Sequence, residues 1–173
     1  NSVVIVLFIA LPMVFSVMKY NSFSQKPAGE VSVLMLQPEL DPYNEKYSKD
    51  SIQILDDLLQ LAEENSTGKI DFYIAPETAI PGRGSISENG FEDSFLLNKV
   101  KTFLESKPNS VFITGISSHL ISNIEPKNSS AYKIQEGIWA ESYNTAIQIV
   151  PHKKVDVYHK GKLVPGVEIF PYI

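Results

Sequence analysis

From residue 31 onward, short apolar runs alternate with amphipathic helical patterns, and that order constrains the fold more than any other feature of the chain. Residues 31–37 form a Val- and Leu-rich run suited to a buried strand. Residues 50–64 carry Ile52, Leu55, Leu58, Leu59 and Ala62 at helical spacing with charges opposite. Ser48 or Asp50 is placed to cap that helix, and Gly68 follows as a stop. Residues 70–75 read as the next strand, ending at Pro76. Residues 91–106 read as a helix with Phe95, Leu96, Val100, Phe103 and Leu104 on one side. Residues 111–114 make a third strand that ends at Gly115. Residues 145–150 and 154–158 make two more, joined through Pro151-His152-Lys153 in a hairpin. The polar stretch 122–141, with Trp139 near its end, reads as a loop. Strand, helix, strand, helix, strand and then strands in series imply an α/β fold, a parallel or mixed sheet covered by helices.

The first 20 residues are of another kind. Residues 3–15 are apolar without a polar break, Val17 and Met18 follow Ser16, and Lys19 and Tyr20 close the segment. A spanning helix needs about 20 apolar residues, and a basic residue with an amphipathic aromatic suits a membrane boundary. Pro12 is better tolerated there than in a soluble helix. Two other readings compete. A signal-peptide core would need a basic leading region and a small-residue cleavage site, neither of which is evident. A soluble surface helix would need a polar face. The expectation is therefore that residues 1–20 are the end of a transmembrane helix, residues 21–30 a polar linker, and residues 31–173 the folded domain.

Composition excludes several classes. The net charge is -5, with no basic patch interleaved with aromatics, so a nucleic-acid binder is not expected. The chain has no Cys, which excludes disulfides and thiolate metal sites within it. His119, His152 and His159 have no ligand-like spacing, and no metal site is expected.

Chemistry-bearing residues gather after the strands. Glu77 sits directly after an apolar strand, in a turn bracketed by Pro76 and Pro81-Gly82. In open α/β sheets functional groups collect at the carboxyl ends of strands, so Glu77 is a candidate general base against the plain alternative of a solvated loop acid. Lys160 ends a later strand and is a candidate oxyanion stabiliser, again against a solvated default. Lys162 lies two residues on and shares its face in an extended segment, so alternation does not choose between them. Glu168, after Val164-Pro165-Gly166-Val167, is either a second acid that positions the lysine or a surface glutamate. Tyr143-Asn144-Thr145-Ala146 precedes a strand and can supply amide contacts.

The joint wording of these segments resembles the apolipoprotein N-acyltransferase family of the nitrilase superfamily. The matching words are Gln37-Pro38, then Pro76-Glu77-Thr78-Ala79-Ile80-Pro81, then Tyr143-Asn144-Thr145-Ala146. The last is Tyr158-x-Lys160-x-x-Leu163-Val164-Pro165-x-x-Glu168. The resemblance covers about residues 31–173 and the preceding apolar segment. It implies a four-layer α-β-β-α sandwich, present here in part, and a bacterial inner-membrane enzyme whose domain faces the periplasm. It implies Glu77 as base, Lys160 as oxyanion stabiliser and Glu168 as an additional active-site acid. The partners it implies are a phospholipid acyl donor and a diacylglyceryl lipoprotein acceptor; it implies no cofactor. Many members carry Lys-x-His-Leu-Val-Pro-Phe-Gly-Glu where this chain has Lys160-Gly161-Lys162-Leu163-Val164-Pro165-Gly166-Val167-Glu168, so Lys162 becomes a rival to Lys160. The family's nucleophilic cysteine follows the lysine motif by several dozen residues. The chain is accordingly expected to be a fragment holding two thirds of a triad and to be inactive alone. A nitrilase-type amidase acting on a small amide, and a membrane-anchored binding module that has lost the nucleophile, are the alternative readings.

Overall fold

The computed structural model describes residues 2–23, 29–39, 49–80, 85–125 and 131–162. The chain divides into two compact units, residues 1–30 and 31–173. The first unit is one helix, α1 (Ser2–Ser22), with Pro12 inside it and Lys19 in its last turn. Residues 3–22 are long and apolar enough to cross a membrane, and a signal sequence would pass the same test. The helix runs through residues 21 and 22, which the sequence assigned to the linker. A backbone already helical gains one hydrogen bond for each residue it adds, so polar Asn21 and Ser22 extend it.

The second unit is mixed α/β around one seven-stranded sheet. Its elements run β1 (Val33–Met35), α2 (Ser51–Glu64), β2 (Phe72–Ile74), β3 (Ile86–Ser87), a 3-10 helix (Glu88–Asp93), α3 (Phe95–Glu105), β4 (Val111–Ser122), β5 (Ala131–Gln135), β6 (Ile138–Ile149) and β7 (Asp156–His159). β1, β2 and β4 pair in parallel, while β6 pairs antiparallel with β4, β5 and β7. Along its other edge β4 meets β2 at Val111 to Ile113, Ile80 at Ile116, and β3 at Ser118 and His119.

α2 begins where Asp50 caps it, its carboxylate accepting from the Ile52 amide at 2.8 Å. Ser48 lies outside the described residues. The helix ends at Asn65 rather than Gly68, which instead sits at φ +74 in the turn beyond. α2 buries Ile54, Leu55, Leu58 and Ala62, whereas Ile52 is exposed; α3 buries Leu97, Val100 and Leu104, whereas Phe95 is exposed. These faces pack on Leu36, Tyr73, Phe112, Ile116, Ile147 and Ile149 of the sheet. Tyr73 and Phe112 stack at 6.2 Å, and Phe103 meets Tyr73 edge-on at 5.2 Å.

Two sequence expectations are corrected. The helix foreseen over 91–106 is broken at Ser94, with a separate 3-10 turn before it; Ser94 takes extended φ/ψ as the cap of α3. Much of the stretch 122–141, read as a loop, is strand. β4 runs on to Ser122, and β5 and β6 form a hairpin turning at Glu136 and Gly137, where Gly137 has φ +70. These strands carry polar residues because β5 lies at a sheet edge and is exposed along most of its length. The hairpin read through 151–153 is present, with His152 at φ 57.

Strand alternation leaves a second sheet face. By register, Val33, Met35, Phe72, Ile74, Val111 and Ile113 lie on the face opposite the helices. Met35 is 80% exposed and Val33 44%. Among the described residues one layer of helices and one sheet are present; a second sheet and second helical layer are not.

Candidate active site

Where β2 ends, the chain stays bonded to β4 for two residues more. The Ala75 amide donates to the Ile113 carbonyl at 2.9 Å, and the Gly115 amide to the Pro76 carbonyl at 3.1 Å. The chain then turns at Glu77 and Thr78 and rejoins the edge of β4 at Ile80. Thr78 holds φ 51 and is nearly buried. A β-branched residue in the left-handed region is strained by about 1–3 kcal/mol and persists only where its surroundings enforce it. The enforcing neighbour is Gly115. A Cβ there would stand 2.6 Å from the Thr78 amide nitrogen and 2.7 Å from the Glu77 Cα. The missing side chain is what lets the glutamate turn lie flat on β4.

The sheet delivers the other two groups. Asn144 of β6 sits opposite Ser117, and β7 pairs so that Tyr158 faces Ala146 and His159 faces Thr145. The Lys160 amide continues that ladder, donating to the Asn144 carbonyl at 2.9 Å. Asn144 and Lys160 therefore share the face on which Glu77 turns. The Asn144 side-chain amide donates to Glu77 Oε1, and Lys160 Nζ lies 3.5 Å from the same oxygen. Around the three groups lies a cleft of about 290 Å³ with Ile113, Gly115 and Ala146 on the sheet surface and Tyr158 at its side. The Glu77 side chain is 60% exposed and that of Lys160 26%, so the cleft is open to solvent.

Glu77 and Lys160, 83 residues apart in sequence, are thus brought together. Lys162 is exposed and is not part of the cleft lining. Alternation had left the two lysines equivalent; the ladder bond at Lys160 breaks the tie. Glu168, Pro81 and Gly82 lie outside the described residues. Sequence reasoning took Gly115 only as a strand end and attached no role to Thr78. A glycine inside a strand pattern is the signal that marks close backbone approach. The amide hydrogen bond and the ammonium hold the Glu77 carboxylate in place as a proton acceptor, and the ammonium can meet negative charge that develops beside it.

No protein-family model matches the chain, and no curated protein matches it.

Proposed function

We propose that this chain carries the acid–lysine half of an acyl-transfer site, that of an apolipoprotein N-acyltransferase in the nitrilase superfamily. The single observation that carries the reading is that Lys160 Nζ and Asn144 Nδ2 converge on one oxygen of Glu77 at the carboxyl end of a parallel strand. The motif wording supports the narrower identification. In the proposed sequence, Glu77 takes the proton of a cysteine thiol supplied from outside these 173 residues. The thiolate attacks the carbonyl carbon of a phospholipid ester, and Lys160 meets the oxyanion. The lysophospholipid alkoxide leaves with the proton held by Glu77. The free α-amine of a diacylglyceryl-cysteine then attacks the thioester, giving its proton to Glu77, which returns it to the departing thiolate. Glu168 is the additional acid of this scheme.

α1 supports a membrane setting; the periplasmic side of a bacterial inner membrane is what the family resemblance implies for the domain. The apolar face of β1, β2 and β4 opposite the helices, exposed at Val33 and Met35, supports the four-layer arrangement, since parallel strands are normally covered on both faces. A second sheet on Val33, Met35 and Ile74 would complete it. The test is trapping of an acyl-thioester, by hydroxylamine release, in the complete protein that contains this chain. Glu77→Ala and Lys160→Ala each reduce it at least about 100-fold on this reading, and wild-type levels in either variant refute it. The absence of Cys from the chain favours one other reading, a lipid- or peptide-binding module on the same cleft. A complete protein without any cysteine, forming no thioester, selects that reading.

A further inference from the structure

Behind the cleft, on the helix-facing side of the same strands, lies a polar cluster that the proposed chemistry does not use. Glu88 opens the 3-10 helix and its side chain is only 11% exposed. Its Oε1 accepts from the Ser118 hydroxyl and from His159 Nε2, the latter at 2.8 Å. Ser118 Oγ also lies 2.6 Å from Thr145 Oγ1. A hydroxyl has one proton, and that of Ser118 is committed to the carboxylate, so Thr145 donates to Ser118. A carboxylate only accepts, so His159 carries a proton on Nε2. The His159 ring stacks on Tyr143 at 3.8 Å and 3°. The Tyr143 hydroxyl is pushed up to about 12 by burial, by its hydrogen bond to Glu141 and by the charges of Glu141 and Glu88, so the ring stays a neutral phenol.

Each anchored residue is one position from a site residue. Tyr143 and Thr145 flank Asn144, and His159 precedes Lys160. Alternation turns the anchors to one face and the site residues to the other. β7 is a four-residue edge strand, and Lys160 lies just past its end. Its backbone bond to Asn144 is a single bond past the end of a short strand, where ladders open most readily.

We infer that Glu88, His159 and Tyr143 are positioning residues, a latch on the far face of the sheet that holds the end of β7 so that Lys160 reaches Glu77. The importance of Lys160 rests on the acyl-transfer reading; the latch itself is measurable without it. The experiment is residue-by-residue acetylation of the full chain in detergent, with rates read by peptide mass spectrometry. In the wild type Lys160 reacts more slowly than Lys162. His159→Ala raises the Lys160 rate by roughly 3- to 10-fold, the population change that follows loss of one net hydrogen bond. The rate at Lys133, on β5, stays unchanged. Glu88→Ala gives the same result, and His159→Gln, which keeps a donor for Glu88, returns Lys160 toward the wild-type rate. An unchanged Lys160 rate in His159→Ala overturns the inference. So does a uniform rise at every lysine, which would mean a general loss of fold, and so does a His159→Gln rate equal to that of His159→Ala. If Lys160 is released as expected while Lys160→Ala leaves thioester formation intact in the complete protein, the latch stands and the acyl-transfer reading fails.

Discussion

Gly115→Ala isolates the contact that places Glu77. The new Cβ would lie 2.6 Å from the Thr78 nitrogen, 2.7 Å from the Glu77 Cα and 3.0 Å from the Glu77 carbonyl carbon. All three are backbone atoms, so no side chain can swing away. Ordinary contact begins near 3.4 Å, and 3.4 − 2.6 requires the turn to move by 0.8 Å. Overpacking of this kind costs about 1–3 kcal/mol. For a chain of this size each kcal/mol shifts the thermal midpoint by roughly 2–4 °C, which gives a fall of about 2–12 °C. Alanine is otherwise the better strand residue by about 0.5–1 kcal/mol, so a net loss reports the clash and not backbone preference. Trp139, the sole tryptophan and part of β6, gives a fluorescence signal for the melt. Gly90→Ala is the control, because a Cβ there meets nothing within 4 Å. On the acyl-transfer reading, a displacement near 1 Å at Glu77 costs about 100-fold in rate. A Gly115→Ala midpoint within 1 °C of wild type, matching Gly90→Ala, would refute the argument that this glycine seats the turn.

Two further outcomes follow from the charges. On the acyl-transfer reading, and in a protein that holds the nucleophile, Lys160→Ala lowers acyl transfer by roughly 100- to 1000-fold, the usual cost of losing an oxyanion donor, and Lys162→Ala by far less; equal losses in steady-state assays would reverse the proposed assignment of the two lysines. Glu92 is held below the ordinary glutamate value of 4.5 by its hydrogen bond to Lys101, then by the Val155 amide at 3.0 Å and the charges of Lys101 and Lys154, against a smaller cost of burial. The group is depressed in the fold, so its stabilisation is complete above 4.5 and fades as pH falls through the lower folded value. Thermal melts of Glu92→Gln should show a reduced midpoint at neutral pH and a flatter decline below 4.5, and a decline as steep as wild type would contradict this.

The sequence exposed most of the parallel half of the fold because the residues that pair there, Phe72 to Ile74 and Val111 to Ile113, are apolar runs. Residues 70–75 and 111–114 read as strands for that reason, and Asp50 read as a cap because its side chain competes for the first amides of a helix. Of the antiparallel half, the hairpin of β6 and β7 was legible, and β5 with the first half of β6 was hidden. β5 carries Lys133 and Gln135, β6 carries Glu141, Ser142 and Asn144, and a strand at or near an edge needs an apolar residue only at alternate places. Gly137 between Glu136 and Ile138 was the usable sign, a residue free to take φ +70 between two alternating runs. At the site, Glu77 and Lys160 were legible as residues that follow strands, but their meeting was not. It depends on β6 lying between β4 and β7, a long-range pairing that no local pattern carries. The role of Asn144 was legible only as an amide in the right neighbourhood.

The sheet face opposite the helices and the open cleft are one surface, and a single substitution probes both. Ile113 belongs to the apolar row of β1, β2 and β4 and also to the floor of the cleft. Any layer that covers Met35 and Ile74 therefore narrows the mouth beside Glu77. Excluding water there strengthens the attraction between Glu77 and Lys160 and the effect of Lys160 on an oxyanion. Met35→Lys tests whether such a layer exists. Met35 is 80% exposed in this chain, so the lysine finds solvent and the melt should move by no more than the equivalent of about 0.5 kcal/mol. In the complete protein of the acyl-transfer reading the same side chain is covered. Full burial of a methionine is worth about 1.5–3 kcal/mol, and four fifths of that, roughly 1.2–2.4 kcal/mol, is lost before the cost of burying an ammonium is added. Urea melts of the two proteins, each with and without Met35→Lys, give the comparison. A loss confined to the complete protein supports the second layer. Equal and small effects in both leave the face bare, and the four-layer arrangement would then be wrong for this chain.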